Sequence, residues 1–566
     1  MFEDYPETPD CFPAAAALRL LAEAAPEAAA VAAPFVERLF AALARGDTAV
    51  YLGNEEAQRL AQAAPVAGNG PQSPLVLQGR RLMLAKYWQQ ERDLAREILR
   101  LSAAPVMQPE HPPAKLLADW FADEGSRDQQ AAAALALLQN FILISGGPGT
   151  GKTTTVAKLL ALLHREPAPR TALCAPTGKA AARLTESLHR AAAAIPDLPE
   201  AARRYLAGLQ GQTAHRLLGL APPQMQPAYH AHNPLPLDIL LVDEASMLDN
   251  HLLLQLLSAL PSGCRTVLLG DAGQLPAVGA GAVLSALSQG GGMQPETEAA
   301  LRALLPERDV FPLLAERHAR LTVSHRFGAD SGIGSLARAV QSGDGAAAWQ
   351  MFARFPDVLH AEPRHPDKLV RRLYREHAGY WRAIDAGNVQ AAFAAQAELA
   401  VLTALRSDAD SLNAAYRSLL QEHGRARADT LWYAGRVVMV SRNAPAQHLY
   451  NGDIGIIMQS ENGEDADLRA WFADADGFRS VPLSRLPEHE TAFAITTHKS
   501  QGSEYGSVWF AAPAQAAYGR ALLYTAVTRA KRQFVYWGSG EGFQAACAHA
   551  EIRRSALAQF LAEEAA

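Results

Sequence analysis

The run Gly146-Gly147-Pro148-Gly149-Thr150-Gly151-Lys152-Thr153 satisfies the pattern G-x-x-x-x-G-K-[ST] in full. Glycines at this spacing let backbone N–H groups close around phosphate oxygens, and a helix opening there adds its partial positive charge. Lys152 is placed to reach the β- and γ-phosphates of ATP, and the Thr153 hydroxyl to sit on Mg²⁺. Such a loop needs a second strand ending in a metal-holding carboxylate. Asp243-Glu244 supplies it at the end of the apolar run Ile239 to Val242. Asp243 is the expected partner of Mg²⁺ through water, and Glu244 is placed to orient or deprotonate the attacking water. Asp271 and Gln274 end a further apolar run, where a polar group could sense the γ-phosphate. Arg326 and Arg529 lie beside later apolar stretches. By spacing alone each is either a cis arginine finger or an ordinary solvated arginine.

These residues need rigid elements to hold them. Phe141 to Ile144, Thr171 to Ala175, Ile239 to Val242 and Thr266 to Leu269 read as buried strands, with helical stretches such as Thr153 to His164 between them. The alternation predicts an α/β fold with a parallel sheet covered on both faces. The Pro-rich stretch Ala221 to Pro236 interrupts it as a loop or a small hairpin, and Gly290 to Gly292 marks the expected end of the unit. A second α/β unit is expected from near Leu321, with strands at Leu399 to Leu405 and Phe534 to Trp537. Inside it, Val437 to Val440, Ile454 to Met458 and Trp471-Phe472 read as a small β insertion, punctuated by Asn451-Gly452 and Asn462-Gly463 turns. Residues 1–112 are alanine-rich and read as helical, with a loop at Ala63 to Pro74, a third helix at Leu82 to Leu101 and a linker at Pro105 to Pro113.

Composition bounds the function. The chain has 566 residues, with 52 Lys plus Arg against 58 Asp plus Glu, a formal charge of −6. That excludes a binder whose affinity comes from sheer positive charge, yet leaves room for a local basic groove. Four scattered cysteines, Cys11, Cys174, Cys264 and Cys547, make neither a disulfide scaffold nor a zinc module. The acidic start Met1-Phe2-Glu3-Asp4 is unlike a signal peptide. The uncharged stretch Gln129 to Gly151 is long enough to span a bilayer, but its glutamines and glycine-proline loop read instead as helix, strand and loop. The expectation is a soluble cytoplasmic protein with no membrane partner.

Further segments fall in order along the chain. They are Ala-Pro-Thr-Gly-Lys-Ala-Ala-Ala-Arg-Leu (175–184), Thr-Ala-His-Arg-Leu-Leu-Gly (213–219), Val-Asp-Glu-Ala-Ser-Met-Leu (242–248) and Gly-Asp-Ala-Gly-Gln-Leu-Pro (270–276). His-Arg-Phe-Gly (325–328), Asn-Gly-Asp-Ile-Gly (451–455), Thr-His-Lys-Ser-Gln-Gly-Ser-Glu (497–504) and Tyr-Thr-Ala-Val-Thr-Arg-Ala-Lys (524–531) complete the set. With the phosphate loop, this series resembles superfamily 1 DNA helicases of the RecD type, the family of the exodeoxyribonuclease V (RecBCD) α subunit, over about residues 113–540.

The resemblance implies two RecA-like P-loop NTPase domains with small insertions, preceded by a mostly helical N-terminal domain. The expected boundaries are 1–112 for partner docking, 113–310 for the first RecA-like domain (insertion about 221–236) and 311–566 for the second (β-rich insertion about 430–490). ATP would lie between the two and single-stranded DNA would cross them. Gln129 would read adenine, and Gly146 through Thr154, with Lys152 and Thr153, would hold the phosphates. Gln274 would couple hydrolysis to domain motion, and Arg326 and Arg529 would be the fingers. Gly502 and Glu504 fall in a segment between nucleotide and DNA. Thr177, Lys179, His215, Thr497 and His498 would hold DNA without sequence preference, with ordinary packing the alternative for the two histidines. His325 stands where relatives often carry tyrosine, and Ala272 and Gly273 replace bulkier polar residues. The insertion at 221–236 is either a duplex-splitting pin or a surface loop.

The implied activity is 5′→3′ ATP-dependent movement on DNA, with RecB-like and RecC-like partners at duplex ends, in double-strand break repair, recombination and degradation of linear DNA. A free-standing RecD-like helicase is the alternative, and a scaffold that has lost catalysis conflicts with the intact Lys152, Asp243, Glu244 and Arg529. Nucleases of the relevant kind place an acidic residue two positions before a lysine. None of the eight lysines has one there, so cutting is expected of a partner.

Overall fold

A computed structural model describes residues 14–565, apart from 221–224, 290–291, 309, 329, 363–365, 460–466, 475–476 and 514–517. The Asn462-Gly463 turn, Cys11, the acidic N-terminal residues and Gly290-Gly291 therefore lie outside the described residues. The chain forms two compact units. The first comprises the stretch up to Ala272, Pro276–His325 and the chain from Ile552 on; the second comprises Gly273–Leu275 and Arg326–Glu551.

The first unit contains two sheets. Near the N-terminus, β1 (Val50–Tyr51), β2 (Ala67–Gly68), β3 (Leu75–Gln78) and β4 (Arg81–Leu84) pair in the order β1-β4-β3-β2. The mostly helical N-terminal segment that was expected thus also contains a small sheet, with Leu75 to Leu84 forming a hairpin. Two aliphatic runs flank Gly79-Arg80, and Gly79 takes the left-handed φ of 58° that a tight hairpin turn requires. The helix read from Leu82 starts only at Ala85 and runs to Ser102.

The second sheet is built from β5 (Phe141–Gly146), β6 (Thr171–Ala175), β7 (Gly211–Thr213), β8 (Ile239–Val242), β9 (Arg265–Gly270), β10 (Leu314–Ala315) and β11 (His318–Leu321). Its order is β10-β11-β5-β9-β8-β6-β7, and only the β10–β11 pair is antiparallel. Every residue of β5, β8 and β9 is buried, as expected of parallel strands covered on both faces. The expected boundary at residue 310 moves. β11 runs parallel to β5, with His318 opposite Leu143, so the segment that looked like the start of the second unit completes the first sheet. The chain from Gln129 to Gly151 is helix, strand and loop as expected, and among the described residues no helix is long and apolar enough to cross a membrane.

The second unit has a parallel sheet of β12 (Val358–Ala361), β13 (Leu399–Thr403), β19 (Ala494–Thr496), β20 (Tyr505–Ala511) and β21 (Ala530–Trp537), in the order β12-β21-β20-β13-β19. Between β13 and β19 the chain forms an antiparallel sheet of β14 (Val437–Val440), β15 (Ile454–Gln459), β16 (Leu468–Asp474), β17 (Gly477–Pro482) and β18 (His489–Thr491). This is the expected β insertion. Its alternating side chains bury one face around Val438, Val440, Ile457, Ala470 and Phe472.

Residues from Ile552 on return to the first unit. There the carboxylate of Glu91, itself fully buried, accepts hydrogen bonds from Thr48 Oγ1 (2.6 Å), Asn250 Nδ2 (3.2 Å), Ser555 Oγ (2.7 Å) and the Ala556 N–H (2.7 Å). Burial pushes its pKa up, and the four donors hold it back. Nothing in the local sequence announces this return.

Candidate nucleotide and DNA sites

The phosphate loop joins the end of β5 to a helix beginning at Lys152 (Lys152–Leu162). Gly149 (φ 77°) and Gly151 (φ 81°) both adopt left-handed backbone, which only glycine enters at no steric cost. The loop is braced from within. Lys152 Nζ donates to the carbonyls of Gly146 (2.6 Å) and Gly147 (3.2 Å), and Thr150 Oγ1 donates to Gly147 O (2.8 Å). Thr153 and Thr154 sit half-buried on the first helical turn.

Gln129 is buried below the loop. Its Nε2 donates to Thr150 O (3.2 Å) and lies 2.7 Å from His325 Nε2. The His325 N–H donates to Gly149 O (2.8 Å), and Ser324 Oγ donates to Pro148 O (3.2 Å). His325, noted in the sequence only as a departure, thus belongs structurally to the phosphate-loop region. A signal for it was present in its position directly before Arg326.

Asp243 follows β8 and lies half-buried. Its N–H donates to Cys174 O (2.8 Å), and its Oδ1 accepts from the Glu244 N–H (2.8 Å). Enclosure raises its carboxyl to about 6; the Glu244 charge adds to this and Lys152 opposes it. Glu244 has φ 50° and ψ 40°, a left-handed conformation that costs a non-glycine residue of order 1–3 kcal/mol. Such strain persists where the surroundings over-determine it, here at the turn that redirects the chain from β8. Asp271, directly after β9, is buried.

Lys152 and the helix N-terminus, the left-handed glycines of the loop and a carboxylate at the end of β8 together fit a nucleoside triphosphate. Bound ATP supplies the phosphoanhydride bond whose cleavage releases free energy.

In the second unit the remaining polar residues interlock. Arg326 Nη2 donates to Glu504 Oε1 (2.6 Å), and Lys531 Nζ lies 3.5 Å from Glu504 Oε2. Arg326 Nη1 is buried and has no hydrogen-bond partner among the described residues. Arg529 is 3% exposed; it donates from Nη2 to Gln274 Oε1 (2.7 Å) and from Nη1 to Ser503 O (3.2 Å). Gly502, buried with φ 69°, makes the turn that presents Ser503 and Glu504. The sequence offered no sign that Gln274 would count with this unit.

Two of the DNA candidates sit side by side. Thr177 and His215 lie just beyond the C-terminal ends of the paired strands β6 and β7, where Ala175 is opposite Thr213. The Thr177 hydroxyl caps the helix Gly178–Ala193 by accepting from Ala180 N–H (3.3 Å), Lys179 is half-buried in its first turn, and His215 is exposed. Thr497 requires a correction. It is fully buried, and both its N–H (2.9 Å) and its hydroxyl (3.0 Å) donate to Thr403 O. It therefore shapes the turn after β19 rather than offering a hydroxyl to a phosphate, and His498 beside it is the exposed residue. Of the 221–236 insertion, the described part is a tight turn with a single bridge between His230 and Asn233.

Residues 129–280 match the AAA domain family, and residues 491–535 match the UvrD-like helicase C-terminal domain. Two largely parallel sheets, the first opening on a phosphate loop and the second carrying the helicase C-terminal segment, define a superfamily 1 ATP-dependent DNA helicase. The RecBCD enzyme subunit RecD of Mycolicibacterium smegmatis is 36% identical over 508 residues, covering 88% of this chain and 84% of that protein. The subunit of the same name from Mycobacterium tuberculosis is 37% identical over 511 residues, covering 88% and 82%. The ATP-dependent RecD2 DNA helicase of Deinococcus radiodurans is 31% identical over 455 residues, covering 78% of this chain but 53% of its own length. The chain belongs to the RecD family.

Proposed function

We propose that this chain is the RecD subunit of a RecBCD-type helicase–nuclease, moving 5′→3′ along single-stranded DNA with RecB-like and RecC-like partners bound at duplex ends. It acts in double-strand break repair, homologous recombination and degradation of linear DNA in the cytoplasm, and cutting belongs to a partner. One observation carries the choice between subunit and free-standing helicase: the chain is 36% identical to a RecD subunit over 88% of its residues, against 31% to RecD2 over 78%.

The residues divide the work as follows. Gln129 reads the adenine edge. Lys152 and the amides of Gly146 to Thr154 hold phosphate charge. Thr153 and Asp243 would hold Mg²⁺, Asp243 partly through water, and the metal would neutralise charge on the transferred phosphoryl group. Glu244 takes the proton of the attacking water. Arg326 and Arg529 present guanidinium charge to the transition state; the buried, partnerless Nη1 of Arg326 supports this, since an unmet buried donor is costly until an anion meets it. Gln274 couples hydrolysis to movement, and Gly502 and Glu504 set the local geometry. Thr177, Lys179, His215 and His498 contact the DNA backbone.

Co-expression with RecB-like and RecC-like chains, followed by pull-down and unwinding assays on 5′-tailed and 3′-tailed duplexes, tests both parts. A stable heterotrimer and unwinding from 5′ tails by this subunit are expected. A monomer fully active alone would return the free-standing helicase, and movement from 3′ tails would overturn the polarity.

A further inference from the structure

Gly273–Leu275 is a tripeptide whose contacts lie with the second unit, although the residues on both sides of it count with the first. Three side chains hold it. Arg529 Nη2 donates to the Gln274 side chain (2.7 Å), the Leu275 N–H donates to Thr525 Oγ1 (3.0 Å), and Gln501 Nε2 donates to Leu275 O (3.2 Å). Leu275 itself is 3% exposed and belongs to the second unit's core. Its two backbone groups are therefore both satisfied by side chains from other segments.

Thr525 is built for this task. It lies on the helix Arg520–Thr528, fully buried, and its hydroxyl proton goes to Ala521 O (2.7 Å) four residues earlier. That fixes the hydroxyl as donor in one direction and leaves its lone pairs for the Leu275 N–H. Thr525 and Arg529 are four residues apart and so share one face of the helix end. Successive residues of the tripeptide are thus gripped by successive turns of one helix, Gln274 through its side chain and Leu275 through its amide.

We propose that Thr525 is a positioning residue for ATP hydrolysis. By fixing the Leu275 amide, with Gln501 on the adjoining carbonyl, it sets where Gln274 meets Arg529 and thereby the orientation of the arginine. Valine would keep the shape but accept no hydrogen bond, leaving the buried Leu275 N–H unmet and the tripeptide free to shift. A shift of about 1 Å in a group aligned for chemistry is worth on the order of 10²-fold in rate. The proposal rests on the reading of Arg529 as a transition-state cation.

The test uses the full chain with single-stranded DNA, measuring kcat and KM for ATP together with binding of a fluorescent ATP analogue. Thr525→Val is expected to lower kcat about tenfold or more, with analogue affinity within about twofold of the parent. Thr525→Ser, which keeps the hydroxyl, is expected to restore most of the rate. Gln501→Ala, which removes one carbonyl partner, is expected to lower kcat by about threefold and keeps the test open if the valine variant does not fold. In an Arg529→Ala background, Thr525→Val is expected to add no further loss, as residues acting through one group are non-additive. A kcat within twofold of the parent for Thr525→Val, or an equal loss in the serine variant, or full additivity with Arg529→Ala, overturns the proposal. Arg529→Ala alone within twofold of the parent would instead overturn the reading beneath it.

Discussion

Two carboxylates of the first unit occupy opposite extremes, Glu91 in a helix rich in polar residues and Asp243 at the end of an apolar strand. Glu91 is sealed from solvent and takes hydrogen bonds from four uncharged donors on three different stretches of chain. Asp243 is half-buried at the end of β8, takes one from the neighbouring Glu244 N–H, and lies within the field of Lys152. Burial raises both. The difference is saturation. Donors from distant segments close off Glu91, whereas the hydrogen bond to Asp243 comes from its own neighbour at the turn after β8. A carboxylate whose acceptor capacity is filled holds a fold together, and one left open can take a cation.

The strongest way to break this contrast is to neutralise each in turn. Asp243→Asn should lower DNA-stimulated ATP turnover by about 10²-fold or more, with thermal stability unchanged or raised, since a poorly compensated charge is removed. Steady-state ATPase and thermal unfolding of the same preparation check it; parallel losses in both would place Asp243 with Glu91. Glu91→Ala should do the converse, costing about 3 kcal/mol of stability by stranding buried donors. Its turnover per folded molecule should match the parent at low temperature, and a selective loss of kcat there would sink the distinction.

Smaller effects sharpen the comparison through pH. Because burial raises the folded-state pKa of Glu91 above its usual value, the native form holds the proton more tightly than the unfolded chain does. Its contribution to stability is therefore full below the usual carboxylate range and falls as pH rises through the folded pKa. Denaturant unfolding of the parent and of Glu91→Gln should show the parent's relative stability declining from about pH 4.5 upward; a constant difference would contradict this. Asp238 supplies the reverse sign. Hydrogen bonds from Arg170, to Oδ1 at 2.9 Å and Oδ2 at 3.0 Å, lower its pKa. Its contribution is present above the usual carboxylate range and lost as pH falls through the folded pKa. At this solvated pair Asp238→Asn should cost at most about 1 kcal/mol, and a larger loss in denaturant titration would show the pair to be worth more than its exposure allows.

How much of this was legible depends on the range of the interaction. The phosphate loop, Asp243-Glu244 and the strands that carry them could be read because each depends on residue types within a few positions: glycines at left-handed φ, a lysine at a helix start, an acidic pair after an apolar run. The Leu75 to Leu84 hairpin also had a local signal in Gly79 between two aliphatic runs, which the reading of a loop to Pro74 and a helix from Leu82 left unassigned. Thr497 misled for a related reason. Its position in a DNA-associated segment was evident, while the direction of its hydroxyl toward Thr403 O depends on β13, nearly a hundred residues earlier in the chain.

The sequence by itself determined the family, the ATP chemistry and the parallel α/β plan, because these are written in contiguous motifs and in short-range periodicity. Tertiary structure alone decided which unit the tripeptide Gly273–Leu275 joins, where β11 pairs, that the chain from Ile552 on closes over Glu91, and that Arg529 holds Gln274. Each depends on a donor meeting an acceptor far along the chain. Burial makes such pairs obligatory once the fold forms, since unmet polar groups are costly there, but no local pattern specifies which distant residue will arrive.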